Sequence, residues 1–401
     1  MFTNEFPYGN SETYLESEIP LMTELFDKIY IFPSKNKGQL THKLSSKFEI
    51  ISFDHQWGKK GNKLFFGNLF FVLNTLFNEW RFCINKRAFY KKLFFYKNTL
   101  LHKLYISEQL EIFLSEKDIE DPVFYSYWFS DWTITLGILK YKKKIRSFVS
   151  RAHGFDVYDN RNKDGFIPFR LFQLKMVDRV FSVSMKGCEY LRNKNKFPEK
   201  ITTRYLGVAD RGMNPFQGEN RFTIVSCSNV NEFKRLELII EILRHITFPI
   251  HWIHFGDGIL MEKMKEKSAE LPATITVEFK GRVPNVEILD FYKNNQVDLF
   301  MTTSAMEGLP MTLIEAASFG IPLLGTNVGG IPEIINDQTG MLIPEYPDPL
   351  AVADMIEDFK LDHGNSILFR RSVKECWKNN FESMKNYTEF YEDIILLSRN
   401  A

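Results

Sequence analysis

The chain has 401 residues, 44% hydrophobic and 25% charged, with a formal net charge of +1. Such a length exceeds one ordinary core and predicts two domains of about 200 residues each. The composition excludes a disordered chain, and the near-zero charge leaves no global field to attract nucleic acid.

In chain order, apolar runs alternate with helical periodicity, the pattern of parallel sheets covered by helices. Only Met1, Phe2 and Thr3 precede a polar loop and helix over 4–18, so the first central strand is expected to be missing or truncated. Further strands are predicted at 28–32, 48–52, 123–127, 145–149, 179–184 and 203–208. The polar, glycine- and proline-containing stretch 209–220 reads as an interdomain linker. The second half repeats the pattern with strands at 222–226, 250–255, 276–279, 297–301, 321–325 and 341–343, and a last helix at 381–397. The fold class is α/β, with two Rossmann-like, doubly wound domains and ligands at the C-terminal strand edges. The expected domains are 1–208, 221–380 and a final helical segment, 381–401. Cys83, Cys188, Cys227 and Cys376 lie far apart, without zinc or redox spacing. No apolar run reaches the ~20 residues needed to span a bilayer.

The most informative stretch follows the strand at 297–301. It runs Ser304-Ala-Met-Glu307-Gly308-Leu309-Pro310-Met311-Thr312-Leu-Ile-Glu315 and leads into a helix with Gly320 past its end. Glu307 sits in the loop and Glu315 inside the helix. Between them the backbone amides around Gly308, Leu309, Met311 and Thr312 form a natural anion site. Two carboxylates flanking a phosphate-ready helix start suit a ligand with hydroxyls at both ends and a phosphate between, such as a nucleotide-sugar.

This stretch resembles the signature of retaining glycosyltransferases of family 4, which have the GT-B fold, and the resemblance continues through Gly329, Gly330, Pro332 and Glu333. It implies that the two domains face a cleft and that the last helix crosses back onto the first domain. Glu307 would then contact the donor sugar and Glu315 the ribose hydroxyls. In Ser150-Arg151-Ala-His153-Gly154-Phe-Asp156, His153 would line the cleft near the donor sugar, while Asp156 and Arg151 are weaker site candidates, the alternative for either being simply to hold the loop. In the loop 225–239, Lys234 fits the second of two basic positions and Asn229 stands where arginine is common. Leaving-group charge would rest on Lys234, the helix amides and Arg235. Gly256 and Arg282, in two further strand-end loops, would complete the donor pocket. Gly9 and the polar loop Asn10-Ser11-Glu12 would face the acceptor.

No Asp-x-Asp motif or His/Cys cluster offers a metal site, so neither metal nor cofactor is expected. The implied activity is retaining, metal-independent transfer from a nucleotide-sugar donor to a lipid-linked or oligosaccharide acceptor in capsule, exopolysaccharide or O-antigen assembly. A sugar-nucleotide 2-epimerase of the same fold and a non-catalytic sugar-nucleotide-binding partner are the alternatives. Nucleic acid is not an expected partner. The segments 58–77 and 85–97 interleave lysines with phenylalanines. They suit either the surface of an anionic membrane or a helical hairpin packed on the first domain's core. The expected location is the cytoplasm, peripheral to the inner face of the cell membrane.

Overall fold

The computed structural model describes residues 1–9, 12–35, 40–41, 44–83, 85–117, 119–216, 221–362 and 366–400. It divides into two compact units, Met1–Arg204 with Tyr387–Ala401, and Tyr205–Asn386. Asn10, Ser11 and the end of the expected linker, 217–220, lie outside the described residues.

Among the described residues the first unit holds seven strands, all parallel: β1 (Phe2–Thr3), β2 (Ile29–Pro33), β3 (Phe48–Ile50), β4 (Tyr125–Ser126), β5 (Val149–Ala152), β6 (Arg179–Ser182) and β7 (Ile201–Thr203). Their order is β3-β2-β1-β4-β5-β6-β7. The order reverses between β1 and β4, which makes the carboxyl ends of those strands the topological switch point. The central strand expected to be missing or truncated is present as two residues, with Phe2 in register with Phe32 on one side and Ser126 on the other. The Phe2 ring stacks on Phe32 at 4.8 Å and lies 5.0 Å from Trp132, so a short strand is held by aromatic packing as much as by its ladder.

Two strands differ most from expectation. The run 145–149 begins instead at Val149, after the helix Asp131–Tyr141 and a left-handed Lys143 (φ 57°). Ile145 and Phe148 are still buried, as core residues ahead of the strand. The run 203–208 is replaced by Ile201–Thr203. The Val208 amide donates to the Phe381 carbonyl instead, and Val208 bridges Glu382, so its apolar residues are buried away from the sheet.

The second unit is a six-stranded parallel sheet of order β10-β9-β8-β11-β12-β13. Its strands are β8 (Phe222–Cys227), β9 (Ile250–Phe255), β10 (Ile275–Gly281), β11 (Leu299–Thr302), β12 (Leu323–Thr326) and β13 (Gly340–Ile343). The central strands are apolar on both faces because helices cover both: Leu299, Phe300 and Met301 are fully buried. Burial of each such side chain is worth roughly 1.5–3 kcal/mol. The switch point here lies between β8 and β11.

The C-terminal helix, Ser383–Arg399, contributes its residues from Tyr387 onward to the first unit. There the Tyr391 hydroxyl donates to Glu18 at 2.8 Å, and the fully buried Arg151 guanidinium pairs with the same carboxylate and lies 3.9 Å over the Phe390 ring. Removing one partner of such a buried pair is far costlier than removing both.

Candidate active site

In the second unit the loops leaving β8 and β11 meet at the switch point. Lys234, in the turn before the helix Leu236–Leu243, forms an ion pair with Glu307 in the loop after β11. The Ser304 hydroxyl donates to the same Glu307 oxygen at 2.7 Å. Asn231 shapes the lysine's loop by accepting from the amides of Phe233 and Lys234 at 3.1 and 3.2 Å. Arg235, expected as an extra charge for a leaving group, has another task. Its guanidinium donates to the carbonyls of Thr303, Ser304 and Glu345, stitching the β8, β11 and β13 loops together. A guanidinium that donates to three backbone carbonyls, two of them half-buried, has few donors left for a ligand.

The helix after this loop is Met311–Ser318, preceded by Pro310. The amides of Met311 and Thr312 lie in its first turn, beyond the reach of any intrahelical carbonyl, and Gly308 and Leu309 lead into it. The side chains of Leu309 and Met311 are buried, so these residues offer a ligand only backbone. Glu315 projects from the helix's second turn and is 6% exposed; it accepts from the Asn285 side chain at 2.9 Å. Burial pushes its carboxyl up to about 7, against the opposing effects of Asn285 and Arg211. Burial likewise raises the neighbouring Cys227 thiol to about 12, with the Glu315 charge adding to it.

Two glycines set where Glu307 sits. Gly329 has φ 52°, and a Cβ there would come 2.0 Å from the Glu307 carbonyl oxygen. At Gly330 the Cβ would come 2.3 Å from the Gly308 carbonyl oxygen, which accepts from the Gly330 amide at 2.7 Å. Gly256 (φ 135°) has the same logic: its missing Cβ makes room for the Ser228 carbonyl, 1.9 Å from where that atom would be. The glycine there is required by the protein's own backbone. Its amide donates to Gly281, which brings the β9 loop beside the exposed Arg282. Asn229 is exposed in the β8 loop. The structure thus gathers Lys234 and Glu307 in direct contact, with Glu315 on the same loop-helix element and Asn229, Gly256 and Arg282 in adjoining strand-end loops.

In the first unit, His153 follows β5 and is 9% exposed. Its ring lies 4.7 Å from Tyr127 and 4.4 Å from Trp128. Both ring nitrogens are buried without a hydrogen-bond partner among the described residues. Burial, and secondarily the Arg151 charge, hold its pKa well below 6.5, so the imidazole is neutral at pH 7. Asp156 holds the loop, accepting from the amides of His153 at 2.5 Å and Phe129 at 2.7 Å. Arg151 is structural, in the pair with Glu18 described above.

Within the loop expected to face the acceptor, Glu12 is held by the protein's own donors. Its buried carboxylate accepts from the amides of Asn4, Glu5 and Phe6 at 2.9, 2.6 and 2.6 Å, and from the Trp128 indole at 2.5 Å. It therefore anchors both the loop after β1 and the ring that packs on His153. Gly9 (φ 66°) lies at the end of that loop, where its carbonyl accepts from Thr41. A polar loop at a strand's end is the signal that pointed there, without saying which groups the carboxylate would serve.

Residues 214–375 match the family described as glycosyl transferases group 1. The chain is 24% identical over 242 residues to the putative colanic acid biosynthesis glycosyltransferase WcaL of Salmonella typhimurium, covering 57% of this chain and 58% of that protein. It is 29% identical over 179 residues to the O-antigen biosynthesis glycosyltransferase WbnH of Escherichia coli, covering 44% and 47%. The aligned stretches span about half the length of these curated relatives. Among solved structures, Anabaena HepE in complex with UDP and glucose superposes with a TM-score of 0.68 at 14% identity, covering 98% of both chains. The lipopolysaccharide outer core galactosyltransferase WaaB gives 0.67 at 16% identity, covering 99% of this chain and 98% of that one. The fold is the one these structures share: GT-B, built from two Rossmann-like α/β units.

Proposed function

We propose that this protein is a retaining glycosyltransferase of the family 4 type. It would move a sugar from a nucleotide-sugar donor to a lipid-linked saccharide acceptor in the assembly of a bacterial surface polysaccharide, on the cytoplasmic side of the membrane. The observation that carries the reading is the contact between Lys234 and Glu307 at the second unit's switch point, with Glu315 behind them on the same element. HepE, a structural neighbour over nearly the whole chain, holds UDP and glucose, which supports a nucleotide-sugar donor, and the relatives named for colanic acid and O-antigen support the polysaccharide context.

In this reading the diphosphate binds at the amides of Met311 and Thr312 and competes with Glu307 for the Lys234 ammonium. Glu307 is thereby freed to accept from sugar hydroxyls, while Glu315 accepts from the ribose. The bond from the anomeric carbon to the phosphate oxygen breaks as the acceptor oxygen bonds to that carbon on the same face. The acceptor proton passes to the departing diphosphate, so no protein base is required. His153 offers a neutral imidazole with two unsatisfied nitrogens, suited to a sugar hydroxyl and incapable of carrying charge at neutral pH. Lys234 and the helix amides stabilise the leaving charge without a metal.

The test is NMR on purified protein with candidate nucleotide-sugars, UDP-sugars first, followed by addition of saccharide acceptors. Transfer with retained anomeric configuration, undiminished by EDTA, is the expected outcome. Donor epimerisation in the absence of acceptor would assign the isomerase instead. Tight donor binding with neither hydrolysis nor transfer would assign a binding partner.

A further inference from the structure

The Phe- and Lys-rich segments of the first unit fold as four helices, Gly61–Gly67, Leu69–Phe82, Lys86–Lys91 and Leu93–Glu116. Their inner side chains, among them Leu64, Phe71, Val72, Leu76, Phe89 and Tyr96, are buried in the unit's core. A second set faces outward. Phe66, Phe70, Leu73, Phe77 and Trp80 recur at steps of four and three, which places them on one side of the helical path. Phe70 is 77% exposed, Phe66 71% and Phe77 56%. Tyr90, Phe94 and Phe95 extend the exposed apolar surface onto the two following helices.

Charge borders this stripe with one sign only. Between residues 58 and 97 there are nine lysines and arginines and a single acid, Glu79. Glu79 points inward, buried and accepting from the Phe172 amide at 2.8 Å. Lys92 alone of the nine is paired with an acid by a contact between described residues, to Asp164 at 2.5 Å. Lys86 sits over the Trp80 ring and Lys97 over the Phe94 ring, so cations and rings are interleaved. Lys59, Lys63, Arg87 and Lys91 are exposed.

We infer that this face docks the protein on an anionic lipid bilayer. Exposed apolar area of this extent has a partner in most soluble proteins. Here the partner must be apolar beneath and negative at its surface. A bilayer with anionic headgroups is both: the rings enter the headgroup–acyl boundary while the cations remain at the phosphates. A second copy of the same face would set cation against cation, and a phosphate backbone alone would leave Leu73 and the stripe's rings uncovered. Among the described residues no helix is long and apolar enough to cross a membrane. The inference rests on the proposed reading in one respect, that a lipid-linked acceptor gives docking its purpose.

The experiment is co-sedimentation with vesicles of phosphatidylcholine containing one-third phosphatidylglycerol, compared with phosphatidylcholine alone, without nucleotide or acceptor. The full chain should bind the anionic vesicles and be released by salt. Each basic residue near such a surface strengthens binding roughly fivefold. The combined variant Lys59→Gln, Lys63→Gln, Arg87→Gln and Lys91→Gln should therefore weaken binding by two to three orders of magnitude. A second variant, Phe70→Ser with Phe77→Ser, should bind more weakly and be released at lower salt. Both replace exposed side chains, and an unchanged circular dichroism spectrum and melting temperature report that each protein is folded. Equal binding to neutral and anionic vesicles, or binding to neither, overturns the inference. So does release from vesicles by a single-stranded oligonucleotide, or a dimer that dissociates in the Phe70→Ser, Phe77→Ser variant. Failure of transfer with vesicle binding intact would instead count against the proposed activity alone.

Discussion

Replacing Glu315 by Gln should stabilise the protein while weakening its hold on a donor. The carboxyl is 6% exposed, and burial raises its pKa from 4.5 to about 7. Below pH 4.5 both folded and unfolded chains carry the proton. As pH rises toward 7 the unfolded chain releases it and the folded chain keeps it, so the stability present at low pH is lost. Integrated between pH 5 and pH 8, that loss is on the order of 2–3 kcal/mol. Gln has no proton to lose and can still accept from Asn285 through its amide oxygen. Wild type should therefore lose more stability than Glu315→Gln between pH 5 and pH 8, by about 5–10 °C in the melting temperature of a unit this size. If Glu315 accepts from ribose hydroxyls, an amide oxygen is the weaker acceptor, and UDP affinity should fall roughly tenfold. Thermal melts at the two pH values and calorimetric titration with UDP measure both effects. Parallel pH profiles would show that Glu315 is solvated, and unchanged UDP affinity would remove it from the donor site.

Lys234→Ala should weaken UDP binding by about 1.5–3 kcal/mol, the usual loss for a charge-assisted hydrogen bond, as read by calorimetry. Gly329→Ala should lower turnover far more than it lowers UDP affinity, because its Cβ would press on the Glu307 carbonyl in a left-handed backbone conformation; steady-state kinetics beside the titration separate the two. Trp128→Phe keeps a ring against His153 but removes the indole donor to Glu12, leaving one carboxylate oxygen with less support. A melting temperature lowered by a few degrees is expected, with UDP binding unaffected.

The strands of the second unit were legible because parallel strands covered on both faces are continuous apolar runs; Ile250–Phe255 was expected residue for residue. The runs 145–149 and 203–208 misled for a related reason. Ile145, Phe148, Leu206 and Val208 are apolar because they are buried, and burial outside a sheet leaves the same trace as burial within one. Glu307, Lys234 and Glu315 stood out through loop chemistry at strand ends. Their partners did not. Ser304 donating to Glu307, Asn285 to Glu315 and Arg235 to three carbonyls are contacts between segments 3 to 110 residues apart, decided by how loops pack and not by local periodicity. The Phe-rich helices were read as either core or surface, and the chain divides each helix between the two.

The Glu12 carboxylate has a consequence for ligand choice. Three successive amides after the first strand of a Rossmann unit form a concave cradle that would accept a phosphate. In this chain the cradle already holds an anion, covalently tethered and clamped by an indole. A phosphate could enter only by expelling a buried carboxylate and leaving its tryptophan donor without a partner. The first unit thus carries a built-in plug where its architecture would otherwise favour a nucleotide. Two units of one architecture are in this way kept from competing for the same ligand.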